Sequence, residues 1–253
     1  MTKYKGVIGM IPARFGSTRL PGKALRNIVN KPMIQRVYER CLLASILDSV
    51  YVVTDDQRIA DTIESVGGKA ILTSSDHLSG TDRLAEAAMS IDADIIVNIQ
   101  GDQPFIDPLM IEEAVQPLLE DPAIEMSTVM HPISRPEALS DSSVVKVVVD
   151  NAGFGLYFSR SLIPFPRQNI PHKVYEHVGL YVYRKPFLLT FAGLPPSIME
   201  QVESLEQLRA LENGYRIKVV ETNSEDHEFN GFSVDTEEDL QRAETMLRER
   251  NMT

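Results

Sequence analysis

Apolar and polar positions follow two alternating periods along the first hundred residues of the chain. Short apolar runs at Val7–Ile11, Val50–Thr54, Ala70–Thr73 and Ile95–Gln100 have the length and β-branched content of buried strands. Between them, Met33–Ala44, Gln57–Val66 and Thr81–Ser90 repeat apolar residues at helical spacing, and Gly67-Gly68 closes the second segment. Strand alternating with helix predicts βαβ units, hence an α/β fold with a mostly parallel sheet flanked by helices. The runs stop at polar residues, Asp55-Asp56, Ser74-Ser75-Asp76 and Gly101-Asp102, so the strand tips are expected along one edge.

The second half has a different rhythm. Val144–Val149, the turn Asp150-Asn151-Ala152-Gly153 and Leu156–Ser159 read as an antiparallel hairpin, and His177–Tyr183 as a further strand. A smaller mixed-sheet subdomain is therefore expected over about residues 130–185, within one domain spanning the whole chain. Ile163–Lys173, with three prolines, reads as a mobile loop. Ile198–Asn213 returns to helical spacing through Ile198, Val202, Leu205, Leu208 and Leu211, with Gly214 as its stop. After a strand at Ile217–Val220, a charged helix is expected from about Thr236, where Thr236 and Asp239 suit a capping box. Repeats, low-complexity tracts and a flexible interdomain linker are absent from the pattern.

At 253 residues such a chain buries about 70–75% of the surface its unfolded form exposes, so no covalent staple is required. The single Cys41 cannot form an intrachain disulfide and falls on an apolar helical position, which fits a reducing cytoplasm. No run of about 18 apolar residues occurs, and Met1–Ile11 lacks the apolar stretch of a secretion signal. Secretion by that route and membrane insertion are not expected. The net charge of −11 argues against general binding to nucleic acid, which needs a broad basic surface. A small anionic substrate remains compatible, because Arg14, Lys23 and Arg160 can make a local positive pocket, with magnesium supplying further charge.

The candidate chemistry begins immediately after the first strand. Ile11-Pro12-Ala13-Arg14-Phe15-Gly16-Ser17-Thr18-Arg19-Leu20-Pro21-Gly22-Lys23 delivers three cations to a Gly- and Pro-rich loop, where ligands of open α/β sheets bind and backbone N–H groups can face an anion. Arg14, Arg19 and Lys23 are placed to meet a polyphosphate. Two commoner phosphate loops do not fit. Five residues separate Gly16 from Gly22 and Ala24 follows Lys23, so both the glycine spacing and the hydroxyl of a Walker loop are missing. The glycines also miss the dinucleotide fingerprint.

Farther along, Val97-Asn98-Ile99-Gln100-Gly101-Asp102-Gln103-Pro104 ends an apolar strand in a carboxylate. Beside a phosphate loop, Asp102 is a candidate magnesium ligand, since that ion takes oxygen ligands and bridges to substrate phosphates; a turn residue before Pro104 is its other reading. Asp235 sits at a strand-to-helix junction in Phe232-Ser233-Val234-Asp235-Thr236. It could cap the helix or hold a metal.

Read together, these segments resemble the bacterial cytidylyltransferases that activate 3-deoxy-manno-octulosonate (Kdo), and the similarity spans nearly the whole chain. It rests on Ile11-Pro12-Ala13-Arg14 with Ser17-Thr18-Arg19-Leu20-Pro21-Gly22-Lys23, on His77-Leu78-Ser79-Gly80-Thr81-Asp82-Arg83, and on Asn98-Ile99-Gln100-Gly101-Asp102. Tyr157-Phe158-Ser159-Arg160, His177-Val178-Gly179-Leu180-Tyr181, Leu205-Glu206-Gln207-Leu208-Arg209 and Val234-Asp235-Thr236 complete it. CMP-sialate synthetases share part of the first motif, but the Ser-Thr-Arg-Leu-Pro-Gly-Lys form and the Leu-Glu-Gln-Leu-Arg segment favour the Kdo enzymes.

The resemblance implies a nucleotide-diphospho-sugar transferase-like fold, a homodimer, and transfer of CMP from CTP to Kdo for lipopolysaccharide synthesis. It implies that Pro12, Ala13, Arg14, Lys23, Ser79, Gly80 and Arg83 bind the nucleotide. Arg14, Lys23 and Asp102 carry the chemistry, and Asp102 and Asp235 hold magnesium. Gln100, Arg160, His177, Tyr181, Glu206 and Gln207 surround Kdo in this scheme, with Arg160 the natural partner for its carboxylate because a guanidinium holds two oxygens at once. Each also has a purely structural reading: His177 and Tyr181 as satisfied buried groups, Glu206 as a surface ion pair with Arg209 or Lys218. Two residues depart from the family's pattern: Gln103 replaces an acid after Gly-Asp, and Ala24 a frequent proline. The rival functions are a cytidylyltransferase for sialate or another keto sugar acid, and a regulatory protein that binds CTP without turnover.

Overall fold

The four apolar runs of the first half become neighbouring strands of one sheet. In the computed structural model, which describes residues 6–17, 19–226 and 231–249, the chain begins with β1 (Val7–Ala13). A cationic loop follows, whose Thr18 lies outside the described residues, and then a 3-10 turn at Lys23–Leu25. The two-residue strands β2 (Asn27–Ile28) and β3 (Lys31–Pro32) precede α1 (Met33–Cys41), β4 (Ser49–Thr54), α2 (Gln57–Ser65), β5 (Ala70–Leu72), α3 (Gly80–Met89) and β6 (Ile95–Asn98). Next come α4 (Pro108–Glu120), β7 (Met126–Pro132), β8 (Lys146–Val149), β9 (Gly155–Ser159) and β10 (Tyr175–Arg184). The chain ends with α5 (Lys185–Ala192), α6 (Ile198–Glu203), α7 (Leu208–Glu212), β11 (Lys218–Glu221) and α8 (Glu237–Glu249).

Strands β6, β1, β4 and β5 lie side by side in parallel, so their carboxyl ends share one edge, as the polar stops predict. Beyond β6 the direction reverses: β10 runs antiparallel to both β6 and β7, and β11 then pairs parallel to β7. The predicted hairpin forms at β8 and β9, and its turn is closed by Gly153 N donating to Asp150 O at 2.9 Å. It joins the large sheet through Tyr175 and Glu176 at the start of β10, so the 130–185 region is an antiparallel extension of the main sheet. Ile163–Lys173 contains no helix or strand.

Alternation along β1 sends Val7 and Ile11 to one face and Ile8 and Met10 to the other. The first face packs on α1, α2 and α4 through Ile34, Val37, Ile59, Ile63, Met110 and Leu118; the second packs on α3, α5 and α7 through Leu84, Phe187, Phe191 and Leu208. A third cluster seats α8, with Leu240, Ala243 and Met246 against Leu20, Ile28 and Met33. That docking brings the C-terminal segment back to the loop after β1. No helix among the described residues is long and apolar enough to cross a membrane.

Two elements add to the sequence reading and one corrects it. Helix α4 starts as its residues dictate, with Asp107 Oδ1 accepting from Leu109 N at 3.0 Å and Pro108 in the first turn. Strand β7 lies between β11 and β10 and is buried along almost its whole length, its polar Ser127, Thr128 and His131 included. The expected helix Ile198–Asn213 is broken into α6 and α7 by Ser204, whose φ of 52° is left-handed. The apolar spacing continues through the break although only Leu205 and Leu208 face the core, Ile198 and Val202 being 76% and 79% exposed, which is why the pattern alone reads as one helix.

Candidate active site

At the carboxyl edge of the parallel strands, three loops meet around a cleft of about 410 Å³ lined by Pro12, Ala13, Arg14, Arg19, Lys23, His77, Ser79, Gly80, Arg83, Gln100, Asp102 and Asp235, among others. Two glycines make the convergence possible. Gly22 holds φ at 66° where the cationic loop closes on Phe15, with Gly22 N donating to Phe15 O at 3.3 Å. At Gly101 a Cβ would stand 2.8 Å from the carbonyl oxygen of Pro12. Only a residue without a side chain lets the tips of β6 and β1 approach so closely.

Lys23 lies between two carboxylates, with Nζ 2.8 Å from Asp102 Oδ2 and 3.0 Å from Asp235 Oδ1. The lysine side chain is only 18% exposed and the carboxylates 27% and 30%. Burial pulls the lysine pKa down, but the fields and hydrogen bonds of Asp102 and Asp235 outweigh it and the net shift is upward. Asp235 is brought there by backbone pairing, Val234 N donating to Asp102 O at 2.9 Å. The start of α8 is served by its neighbours: Asp239 Oδ2 accepts from Thr236 N at 2.8 Å, and Thr236 Oγ1 from Asp239 N at 3.2 Å. Asp235 is thus released from capping, and Arg19 Nη2 also reaches its Oδ1 at 3.0 Å. Arg14 is exposed at the rim, with no ion-pair partner among the described residues.

The opposite wall is the N-terminus of α3. Ser79 caps it, its Oγ accepting from Asp82 N at 3.1 Å while Asp82 Oδ2 accepts from Ser79 N at 3.2 Å, and Gly80 follows against Pro12. Arg83, 4% exposed, ties the strand tips together: Nη1 donates to Thr73 Oγ1 at 2.6 Å and Nη2 lies 3.1 Å from Asp55 Oδ2. His77, absent from the sequence-based set, borders the cleft and is held by Glu86 through a short hydrogen bond. Glu86 also accepts from Ser74 N at 3.1 Å. Its place nine residues after His77 puts the pair on one side of α3 only once the loop folds back.

Of the residues expected around the sugar, Gln100 alone lines this cleft. It leans on Gly179, where a Cβ would be 3.7 Å from Gln100 Cγ, and thereby links the cleft to the bulge in β10 between Val178 and Tyr181. Around that bulge Thr128 Oγ1 donates to Leu180 O at 2.7 Å and lies 2.9 Å from His177 Nε2. His177 is 8% exposed and burial lowers its pKa to about 3, so the imidazole is neutral at physiological pH. It begins an aromatic row with Tyr181 (5.4 Å between centroids) and Tyr183 (6.2 Å farther). Burial raises the Tyr181 pKa, leaving its hydroxyl a neutral hydrogen-bonding group.

Glu206 and Gln207 occupy the link between α6 and α7. Glu206 Oε2 accepts from Thr81 Oγ1 at 2.5 Å; its Oε1 has no hydrogen-bond partner, although Arg209 Nη2 lies 3.6 Å away. Burial raises the Glu206 pKa against the lowering effects of Thr81 and Arg209. Gln207, 3% exposed, has a buried Nε2 with no partner, and Gln103, 7% exposed, a buried Oε1 likewise. Buried polar atoms without hydrogen-bond partners are rare; Glu206 and Gln207 belong to the set expected around the sugar, and Gln103 does not. The position of Gln103 after Asp102 was legible; its burial was not.

Arg160 departs from the sequence expectation. Its guanidinium is taken up by three backbone carbonyls, Nε to Glu203 O at 2.7 Å, Nη1 to Ser142 O at 3.0 Å and Nη2 to Ser204 O at 3.3 Å, and it does not line the cleft. The reason is positional: strand β9 delivers Arg160 beside the carboxyl end of α6, where helix carbonyls lack intrahelical donors.

A family profile described as Cytidylyltransferase matches residues 8–221. The chain is 53% identical over 251 residues to the 3-deoxy-manno-octulosonate cytidylyltransferase of Syntrophotalea carbinolica, covering 96% of this chain and 98% of that protein. It is 49% identical over 253 residues to the enzyme of the same name from Geobacter sulfurreducens, covering 96% and 99%. A solved structure described as CMP:2-keto-3-deoxy-manno-octonic acid synthetase complexed with CTP is 44% identical and aligns with a TM-score of 0.89 over 97% of this chain and 99% of that one. The 4-diphosphocytidyl-2C-methyl-D-erythritolsynthase of Anaerococcus prevotii, 14% identical with a TM-score of 0.63 over 96% of each chain, shares the fold.

Proposed function

The chain belongs to the 3-deoxy-manno-octulosonate cytidylyltransferase family, and from that premise we propose that it transfers CMP from CTP to Kdo, releasing pyrophosphate. The observation that carries this reading is the cation held between Asp102 and Asp235 at the mouth of the β1 loop, while Glu206 and Gln207, expected on the sugar side, each keep a buried polar atom without a hydrogen-bond partner. One side is built for a polyanion and the other for a hydroxyl-rich acceptor.

The anomeric hydroxyl of Kdo attacks the α-phosphorus of CTP, a new P–O bond forms, and the bond to the β-phosphate oxygen breaks in line. Positioning two anions and neutralising the charge on departing pyrophosphate is the main task. Arg14 and Lys23 meet the triphosphate, while Pro12, Ala13, Ser79, Gly80 and Arg83 frame the cytidine. Gln100, Tyr181, Glu206 and Gln207 offer hydrogen bonds to sugar hydroxyls, and neutral His177 supports Tyr181 from behind.

Asp102 and Asp235 are suited to magnesium. They are hard oxygen donors that already share a cation, the Lys23 ammonium, and magnesium is commonly held by one or two carboxylates plus substrate phosphates. When bound, the ion supplies positive charge to the phosphate oxygens.

The reading extends to a cytoplasmic homodimer serving lipopolysaccharide synthesis. Leu156, Phe165 and Ile170 are 62%, 81% and 61% exposed in the 130–185 region, an apolar surface that a second copy would cover. The deciding experiment is pyrophosphate release with CTP, magnesium and a panel of keto sugar acids. Turnover with Kdo alone is expected; preference for sialate would shift the acceptor, and CTP binding with no turnover on any sugar would leave a nucleotide sensor.

A further inference from the structure

Asp55 and Asp56, the polar stop after β4, lie outside the lining of the cleft, yet between them they reach towards both of its walls. Asp55 Oδ2 is the 3.1 Å partner of Arg83 Nη2, in the wall formed by α3. Asp56 serves the other side. Its two oxygens grip Arg58 as a fork, Nε donating to Oδ1 at 2.9 Å and Nη2 to Oδ2 at 2.6 Å, and the guanidinium so held stands 3.5 Å from the centroid of the Phe15 ring. Planar pairing of this kind sets an orientation as well as a distance.

Phe15 closes the cationic loop. Its carbonyl accepts from Gly22 N at 3.3 Å, and a Cβ on Gly22 would stand 3.2 Å from the ring. The ring thus lies against the Gly22 turn and under the Arg58 guanidinium. Arg14 precedes Phe15 and Lys23 follows Gly22, so the two cations assigned to the triphosphate sit one residue outside this closure, one at each end.

The place of Arg58 is unfavourable for a purely structural cation. It is the second residue of α2, with its side chain 60% exposed, where the helix dipole opposes positive charge. The helix start does not depend on its side chain either: Asp56 Oδ1 caps α2 by accepting from the backbone N–H of Arg58 at 3.0 Å, a bond that survives truncation to alanine.

We propose that Arg58 is a positioning residue for the triphosphate: anchored by Asp56, it clamps the Phe15 ring and so holds the loop from Arg14 to Lys23 in the shape that meets the phosphates. This rests on the CTP reading above.

The test uses the full-length enzyme with Arg58→Ala, Phe15→Leu, Phe15→Tyr and the Arg58→Ala/Phe15→Leu pair. CTP and CMP binding are measured by calorimetry with magnesium and no Kdo, beside steady-state kinetics and urea unfolding. Arg58→Ala should lose about fivefold in CTP affinity, the upper range of an exposed cation–π contact, while its CMP affinity and Kdo KM stay within about twofold because CMP lacks the outer phosphates. Its unfolding midpoint should match the wild type. Phe15→Leu should lose CTP affinity similarly, and adding Arg58→Ala to it should cost less than about a further twofold, since a clamp with no ring to hold has nothing more to lose. Phe15→Tyr keeps the ring face and should bind CTP as the wild type does. CTP affinity of Arg58→Ala within twofold of wild type, equal losses for CTP and CMP, or independent losses in the double variant would each overturn the proposal. Arg58→Ala and Phe15→Tyr decide it even where Phe15→Leu fails to fold. A wild type that binds no CTP would overturn the functional reading and this proposal with it, whereas wild-type binding with unaltered variants overturns the proposal alone.

Discussion

Replacing Lys23 with methionine keeps the length and apolar stem of the side chain and removes the charge that sits between Asp102 and Asp235. All three side chains are less than a third exposed, so the group lies between two regimes. An exposed ion pair contributes up to about 1 kcal/mol, and orphaning a fully buried charge costs about 3–5 kcal/mol. Arg19 still reaches Asp235 after the change, which leaves Asp102 as the carboxylate that loses its partner. A stability loss of about 1–3 kcal/mol follows, measured as a shift in the urea unfolding midpoint with an unchanged slope. Activity should fall much further. Loss of one pre-placed donor from the site of developing charge costs about 10²–10³ in turnover, so pyrophosphate release should drop by at least that factor with the fold intact. The two carboxylates, no longer sharing an internal cation, should also bind Mn²⁺ more tightly in the absence of CTP, read by calorimetry. Turnover within tenfold of wild type, at matched stability and saturating CTP, would refute the assignment of Lys23 to the phosphates.

Three further outcomes are expected. Asp235→Asn should raise the magnesium concentration needed for half-maximal turnover while leaving α8 folded, since Thr236 and Asp239 do the capping; an unchanged magnesium titration would remove Asp235 from the metal site. Gly101→Ala puts a Cβ 2.8 Å from Pro12 O, so the tips of β1 and β6 must separate and turnover should fall with a smaller change in melting temperature; a wild-type rate would show that the close approach is dispensable. Burial raises the Glu176 pKa to about 7, above its unfolded value, so its contribution disfavours folding increasingly as pH rises from about 4.5 to 7 and is flat beyond. Glu176→Gln should flatten that stretch of the stability curve and stabilise the protein at pH 8 by up to about 3 kcal/mol; identical pH profiles by thermal melting would contradict it.

Much of the catalytic edge is legible from local pattern. The loop from Arg14 to Lys23 and the carboxylate at Asp102 each follow an apolar strand directly, and a parallel sheet places such strand ends on one edge. The capping pair Thr236 and Asp239 is likewise written in four consecutive residues. The link between α6 and α7 is different. The break at Ser204 is silent in a periodic pattern, because exposed Ile198 and Val202 keep the same helical spacing as buried Leu205 and Leu208, and helix α4 with β7 had to be found from their caps and burial.

The sequence by itself determined the alternation that builds the parallel sheet, the cationic loop, and the family to which its motifs belong, because these depend on residues close together along the chain. Tertiary structure decided which partners those residues take. Lys23 and Asp235 are 212 positions apart, and their pairing exists only because Val234 docks on Asp102 and α8 packs on the loop after β1. The same holds for Arg160: a guanidinium at a strand end fits a sugar carboxylate or a row of helix carbonyls equally well by type. In the structure three of its N–H groups meet Glu203 O and Ser204 O at the end of α6 and Ser142 O nearby, because the fold brings those acceptors within reach of the end of β9, a neighbourhood that residue type alone does not specify.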